Sequence, residues 1–254
     1  MAKKVIVIGW VCFVLLLSGG LSALSASAQN TGAAGIVVPL YTYPMDSSWS
    51  SLIKIKQSYP SVPIIAIINP NSGAGGSKDS NYVTGVKQLQ AAGIVALGYV
   101  YTSYGSRSVR SIENEINNYK SWYGVNGIFF DEMSSVGSTL RYYTQLSTFV
   151  RSIKLGMTMG NPGTTVSSNL VGVFSNLCIY ENPGMPSTSQ ISGYSSFGKG
   201  FSYIAYGVGS VPSQSTIKGT TSYVSYLYIT NLGGSNPYNG LPSYIASEAA
   251  MLAS

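Results

Sequence analysis

From residue 35 onward, short and nearly continuous apolar runs alternate with longer segments whose apolar positions recur every three or four residues. The short runs read as strands buried on both faces, and the longer ones as amphipathic helices. Strands are predicted at 35–40 (GIVVPL), 62–68 (VPIIAII), 94–100, 127–130 (GIFF), 155–159, 177–180 (LCIY), 201–206 and 226–230. Helices are predicted at 49–59, 81–92, 107–123, 138–153, near 166–170, and at 188–197, 213–222 and 241–252. The segment 107–123 carries Val109, Ile112, Ile116, Tyr119 and Tyr123 at alternating spacings of three and four. Asp46 and Asp79 precede helices, where a carboxylate caps free backbone N–H groups.

Eight strand–helix units with apolar strands predict an α/β protein, a single-domain (β/α)8 TIM barrel over residues 29–254. An open doubly wound sheet is the competing architecture. No Gly-x-Gly-x-x-Gly follows the first strand, and the glycine-rich 71–76 (NSGAGG) lacks the Lys-Ser/Thr of a phosphate loop. That segment reads as a mobile loop above the second strand.

The first 28 residues have a different character. Lys3 and Lys4 precede an apolar run, and Ala26-Ser27-Ala28 has the small-x-small form of a signal-peptidase site. Residues 1–28 are therefore expected to be a signal peptide cleaved after Ala28. The expected destination is secreted, extracellular or at the cell surface, with no stable membrane insertion and a monomer as the expected state.

Composition removes most of the usual chemistry. The chain has no His, two Cys, 14 Lys+Arg and eight Asp+Glu. Imidazole-based triads and His-ligated metals are excluded, and two thiols cannot build a four-thiolate site. No metal and no cofactor is expected. The net charge of +6 reflects scarce acids more than clustered bases, which argues against nucleic acid as a partner.

Each of the eight carboxylates can therefore be weighed in turn. Asp46 and Asp79 suit helix caps; Glu113, Glu115 and Glu248 suit solvated helix faces. Asp131, Glu132 and Glu181 remain. Each directly follows an apolar strand, at the barrel face where active sites are built. Strands four and six are alternate strands, so Asp131 and Glu181 can share an interior layer. Two facing carboxylates without histidine are the minimal equipment of a glycoside hydrolase. Salt bridges to Lys or Arg are the structural alternative, and a magnesium or manganese site held by the three acids is a further one. Tyr41, Tyr99, Tyr101, Tyr180 and Tyr206 lie at strand tops and offer flat apolar faces to sugar rings; Tyr43, Tyr104 and Tyr238 lie in the loops beyond. Asn69 and Asn161 end strands and can hydrogen-bond sugar hydroxyls.

Several segments, taken in order, carry a resemblance. They are 38–41 (VPLY), 63–71 (PIIAIINPN), 98–102 (GYVYT), 127–133 (GIFFDEM), 160–164 (GNPGT), Tyr180-Glu181 and 241–244 (LPSY). Together they resemble the spherulin-4-like (spherulation-specific family 4) proteins across nearly the whole chain after residue 35. The resemblance implies a (β/α)8 fold. It also implies kinship with fungal secreted hydrolases that cut α-1,4-linked N-acetylgalactosamine within galactosaminogalactan, and it assigns importance to Asp131, Glu132 and Glu181. The expectation is an endo-acting glycoside hydrolase for an amino-sugar polysaccharide. Glu181 is its general acid and Asp131 its nucleophile or stabiliser, or the group that orients a substrate acetamido nucleophile. Glu132 is a supporting or substrate-binding carboxylate, because only one of two consecutive strand residues can face the interior. A non-catalytic glycan-binding or structural surface protein on the same barrel is the alternative.

Overall fold

The computed structural model describes residues 34–198 and 200–254. The predicted signal peptide and its cleavage point lie outside the described residues. Eight parallel strands close in chain order: β1 (Gly35–Leu40), β2 (Ile64–Ile68), β3 (Val95–Tyr101), β4 (Gly127–Asp131), β5 (Met157–Gly160), β6 (Asn176–Pro183), β7 (Phe201–Tyr206) and β8 (Tyr226–Ile229). β8 returns to pair with β1, Gly35 opposite Tyr226, so the sheet has no edge and the open doubly wound alternative is set aside.

The strands form where apolar, largely β-branched residues run together. Every residue of β1 and β2 is buried, and their register runs from Ile36 opposite Ile64 to Leu40 opposite Ile68. Residues pointing inward fill the barrel, and those pointing outward meet the helices. The helices are α1 (Ser47–Ser58), α2 (Ser80–Ala91), α3 (Val109–Asn118), α4 (Leu140–Ser152), α5 (Thr188–Ile191), α6 (Gln214–Thr221) and α7 (Ile245–Ala253). Asp46 caps α1 by accepting from Ser48 N at 2.8 Å, and Asp79 caps α2 by accepting from Asn81 N at 2.8 Å. The segment predicted as one helix over 107–123 is α3 followed by one wider π turn, Tyr119–Tyr123, ended by Gly124 at φ 65°. Between β5 and β6 the expected helix is only a 3-10 turn, Ser168–Leu170. That connection is dominated by Ser, Thr, Gly and Pro, which favour turns over helix.

Two carboxylates expected on solvated faces are not there. Glu248 is fully buried, with 0% exposure, on the side of α7 that also buries Ile245 and Ala249. Neither of its carboxyl oxygens has a hydrogen-bond partner. Burial pushes its pKa well above the ordinary carboxylate range, against a weaker favourable contact from the Ile229 backbone. Glu115 is likewise enclosed, because Arg107 and the loop after β2 fold over it. It forms an ion pair with Arg107 at 2.6 Å and accepts from Ala74 N at 3.1 Å.

Candidate active site

The site lies at the C-terminal ends of β3, β4, β5 and β6 and in the long connection after β8. On β4, alternation sends Phe129 and Asp131 inward and Phe130 outward. The contacts agree: Phe129 packs on Tyr99 at 6.2 Å, and Phe130 stacks on Phe174 at 4.8 Å. Asp131 therefore ends its strand with the carboxyl in the barrel mouth. Glu132 leaves the strand at φ 50°, a left-handed conformation uncommon for a residue with a side chain. Its carbonyl accepts from Tyr104 N and from the Thr102 hydroxyl, both at 2.7 Å. Ser103 and Tyr104 are themselves at φ 47° and 55°, so three strained residues brace one corner of the rim.

Glu181 reaches the mouth by an irregularity. The β6–β7 register runs Cys178 opposite Ser202, then Tyr180 opposite Tyr203, then Glu181 opposite Ile204. Ile179 is an extra residue, a β-bulge, and bulges re-aim side chains near active sites. Without it, Cys178 and Glu181, three apart, would face opposite sides. With it, both share the inward side with Ser202 and Ile204. Tyr180 instead turns outward, in step with Tyr203, whose hydroxyl bonds Thr220 of α6 at 3.1 Å.

Asn161, just past β5, joins the two acids. Its Nδ2 donates to Asp131 Oδ1 at 2.8 Å and also, in a short contact, to Glu181 Oε2. The orientation of the amide follows from its partners. Asn161 Oδ1 accepts from Gly163 N at 3.0 Å, and carboxylate oxygens can only be served by the NH₂ end. The backbone around Asn161 is fixed as well, with its N donating to Phe130 O at 2.8 Å and its O accepting from Met133 N at 3.0 Å. Gly163 sits at φ 63°, and a Cβ there would lie 3.5 Å from Glu181 Cβ, so glycine suits both the turn and the close approach.

The second oxygen of each acid is held by a tyrosine. Tyr99 donates to Asp131 Oδ2 at 2.8 Å, and Tyr238 donates to Glu181 Oε1 in a short contact. Tyr41 stands edge-on between these two rings, at 5.6 Å from Tyr99 and 5.5 Å from Tyr238. The mouth is thus two carboxylates, one shared amide and three tyrosines. Among the described residues no Lys or Arg pairs with Asp131, Glu132 or Glu181, and no group of three acids or thiols lies close enough to hold a metal ion.

The electrostatics follow from this enclosure. Burial raises the Glu181 carboxyl above the ordinary range; the hydrogen bonds from Tyr238 and Asn161 oppose the rise, and the charge of Asp131 adds to it. The Tyr41 and Tyr99 hydroxyls are pushed well above 10 by burial first and by the neighbouring acids second. Tyr238 moves the same way through burial and Glu181. All three tyrosines stay neutral hydrogen-bond donors.

The remaining candidates from the sequence are placed differently. Tyr180 donates its hydroxyl to the carbonyls of Pro183 and Gly184, at 3.2 and 2.9 Å, on the outward side of its strand. Asn69 Oδ1 accepts from Gly73 N at 2.9 Å and so organises the 71–76 loop, which Tyr123 also ties down through Ala74 O at 2.9 Å. The Tyr101 ring is covered by the Arg107 guanidinium, 4.2 Å from its centroid. Tyr206 ends β7 in inward phase with Ser202 and Ile204, near enough to Tyr238 to influence its hydroxyl. Tyr238 is visible in the sequence only as one aromatic among many, since nothing local says that residue 238 returns to residue 181.

The family model described as spherulation-specific family 4 matches residues 35–252. Spherulin-4 of Physarum polycephalum is 36% identical, over 95% of this chain and 77% of that protein. The crystal structure of Aspergillus clavatus Sph3 in complex with GalNAc superposes with a TM-score of 0.78 at 22% identity, covering 87% of this chain and 98% of that one. The YdjI aldolase of Escherichia coli K12 superposes with a TM-score of 0.53 at 13% identity, covering 80% and 77%. A GalNAc-bound barrel and an aldolase barrel both match, so the structural likeness speaks for the fold, and chemistry has to be argued from the site.

Proposed function

The chain belongs to spherulation-specific family 4, and on that premise we propose that it is a secreted glycoside hydrolase cutting within an amino-sugar polysaccharide. The observation that carries the reading is the Asp131–Asn161–Glu181 bridge. One NH₂ group serves both acids, with Asp131 Oδ1 2.8 Å away. Two hydrogen bonds diverging from one nitrogen place the two acceptor oxygens roughly 5 Å apart. This nearest approach of the two acids favours a double displacement, in which carboxyls about 5–5.5 Å apart act as acid and nucleophile, over an inverting pair, whose carboxyls stand about 6.5–9.5 Å apart, and the anomer first formed decides between them.

The roles divide by environment. Glu181, whose pKa is raised by burial, keeps its proton closer to neutrality and serves as general acid. Asp131, held by Tyr99 and Asn161 and open to the mouth, serves the anomeric carbon as nucleophile; in an α-linked N-acetylgalactosamine the acetamido group lies on the same face as the leaving oxygen and cannot displace it. Tyr41 and Tyr206 offer ring faces to the sugar, and Glu132 lies on the rim beside them. The GalNAc bound by Sph3 supports N-acetylgalactosamine polymers, α-1,4-linked, as the first substrates to try.

The test is digestion of galactosaminogalactan, other amino-sugar polymers and neutral glucans by the protein, by Asp131→Asn and by Glu181→Gln. Released oligosaccharides are read by mass spectrometry, and the anomer first formed by NMR. Retained-configuration products from the wild type, absent from both variants, are expected. Folded wild type that binds glycan but releases nothing from any polymer leaves a binding barrel instead.

A further inference from the structure

We propose that Tyr238 is a catalytic residue, relaying the proton between Glu181 and the glycosidic oxygen. The inference rests on Glu181 being the acid of the proposed hydrolase, and it concerns how the proton leaves. Both oxygens of Glu181 are occupied: Oε2 by the Asn161 amide and Oε1 by the Tyr238 hydroxyl. An amide NH₂ is a poor carrier, since it would have to give up a proton before accepting another. A hydroxyl donates and accepts at once. Beneath the acid the Cys178 thiol is buried and directed at Tyr180 O, 3.4 Å away, so no outlet lies on that side.

Tyr238 occupies the outer position. It belongs to the 230–244 connection between β8 and α7, is itself only half-buried, and has its ring set edge-on against Tyr41 at 5.5 Å. When Glu181 is ionised, Tyr238 donates to Oε1. When Glu181 carries its proton on Oε1, the same bond is reversed and the tyrosine hydrogen turns toward the substrate.

In the cleavage step the Glu181 O–H bond breaks and its proton passes to the Tyr238 oxygen. The original Tyr238 O–H bond breaks and that proton passes to the glycosidic oxygen. The C1–O bond breaks with its electron pair going to that oxygen. Glu181 is left as carboxylate, Tyr238 is unchanged, and the positive charge at C1 is taken up by the Asp131 carboxylate as it bonds to that carbon. Deglycosylation runs the wire backwards, with water giving its proton through Tyr238 to Glu181.

The experiment compares wild type, Tyr238→Phe and Glu181→Gln on two substrates. One is the polymer that the wild type cleaves. The other is the dinitrophenyl glycoside of the shortest oligosaccharide it releases, whose leaving group departs without protonation. Tyr238→Phe keeps the ring against Tyr41 and removes only the hydroxyl. It is expected to lose about 10²–10³-fold in kcat/KM on the polymer, the scale of general-acid catalysis, and to stay within about threefold of wild type in kcat/KM for dinitrophenol release, which reports cleavage of the C1–O bond and not the later deglycosylation. Wild-type kcat/KM on both substrates, or equal losses of kcat/KM on both, overturn the relay while leaving the hydrolase intact. A wild type inactive on every polymer and on the activated glycoside overturns both readings. A measurement on unaltered protein guards against a variant that folds poorly. The polymer rate plotted against the D₂O fraction is expected to bow, because two protons move together; a straight line overturns the relay.

Discussion

Replacing Glu248 by Gln is expected to make the protein more resistant to rising pH. Glu248 is wholly enclosed, and neither carboxyl oxygen finds a hydrogen-bond partner. Its folded-state pKa is therefore raised by burial. In the unfolded chain the same group titrates near pH 4.3. Above that point the unfolded state has released a proton that the folded state still holds, so unfolding is favoured increasingly as pH rises. The stability this group contributes is fully present below the unfolded pKa and is lost on the way up to the folded one. Within that window a single retained proton corresponds to about 1.4 kcal/mol per pH unit. For a domain of this size 1 kcal/mol moves Tm by about 2–4 °C, so the effect is about 3–6 °C per pH unit. The nearby hydroxyls of Tyr203, Tyr228 and Tyr244 are all raised above 10 and stay neutral in this range. The assay is calorimetric Tm for wild type and Glu248→Gln at unit steps from about pH 5 to about pH 8. The gap between the two is expected to widen in favour of the variant from about pH 5 upward until the folded-state carboxyl itself ionises. A gap that stays constant with pH refutes the assignment of a neutral, buried carboxyl at this position.

Three further outcomes are expected. Asn161→Ala removes the donor shared by both acids, two charge-assisted bonds worth about 1.5–3 kcal/mol each, and kcat/KM on the cleaved polymer is expected to fall by about 10²–10³-fold; a change under threefold contradicts the bridge. Because Glu181 is raised by burial, its acid form outlasts that of an ordinary carboxyl, so the rate is expected to hold above the usual carboxylate range and fall as this proton is lost at higher pH; a pH–rate profile already falling through about pH 4 contradicts the assignment. Gly163→Ala forces a side chain into φ 63° and brings it to 3.5 Å of Glu181 Cβ; a loss of about 1–2 kcal/mol is expected in urea melts, and an unchanged midpoint contradicts the strain.

The sequence was most informative where chemistry was scarce. With no histidine and eight acids, strand-terminal position alone singled out Asp131, Glu132 and Glu181, and the structure brings Asp131 and Glu181 onto one amide. Strand positions were equally legible, because strands buried on both faces are mostly apolar. Glu248 leaves a trace in the sequence: Ile245, Glu248, Ala249 and Leu252 share one helical stripe, a spacing that points to the core although the charge points to solvent. Glu115 could not be placed, since what covers it arrives from the loop after β2, 41 residues earlier at Ala74. The reach of Tyr238 to Glu181 spans 57 residues and has no local signature. The bulge at Ile179 is silent as well, because an isoleucine there satisfies the strand pattern whether or not it is paired.

That one unpaired isoleucine also bears on how such barrels diverge. Deleting it leaves Tyr180 opposite Tyr203 and Glu181 opposite Ile204, so the second acid keeps its inward side. Pairing it with Tyr203 instead, by a slip of one residue, turns position 181 to the helix side and brings Tyr180 into the mouth. Presence or absence of the second acid in the mouth is thus separated by one step of strand register, with no residue gained or lost. When relatives are compared, the pairing of the strand residues that precede the glutamate is therefore a sharper guide to a facing pair of acids than the presence of the glutamate itself.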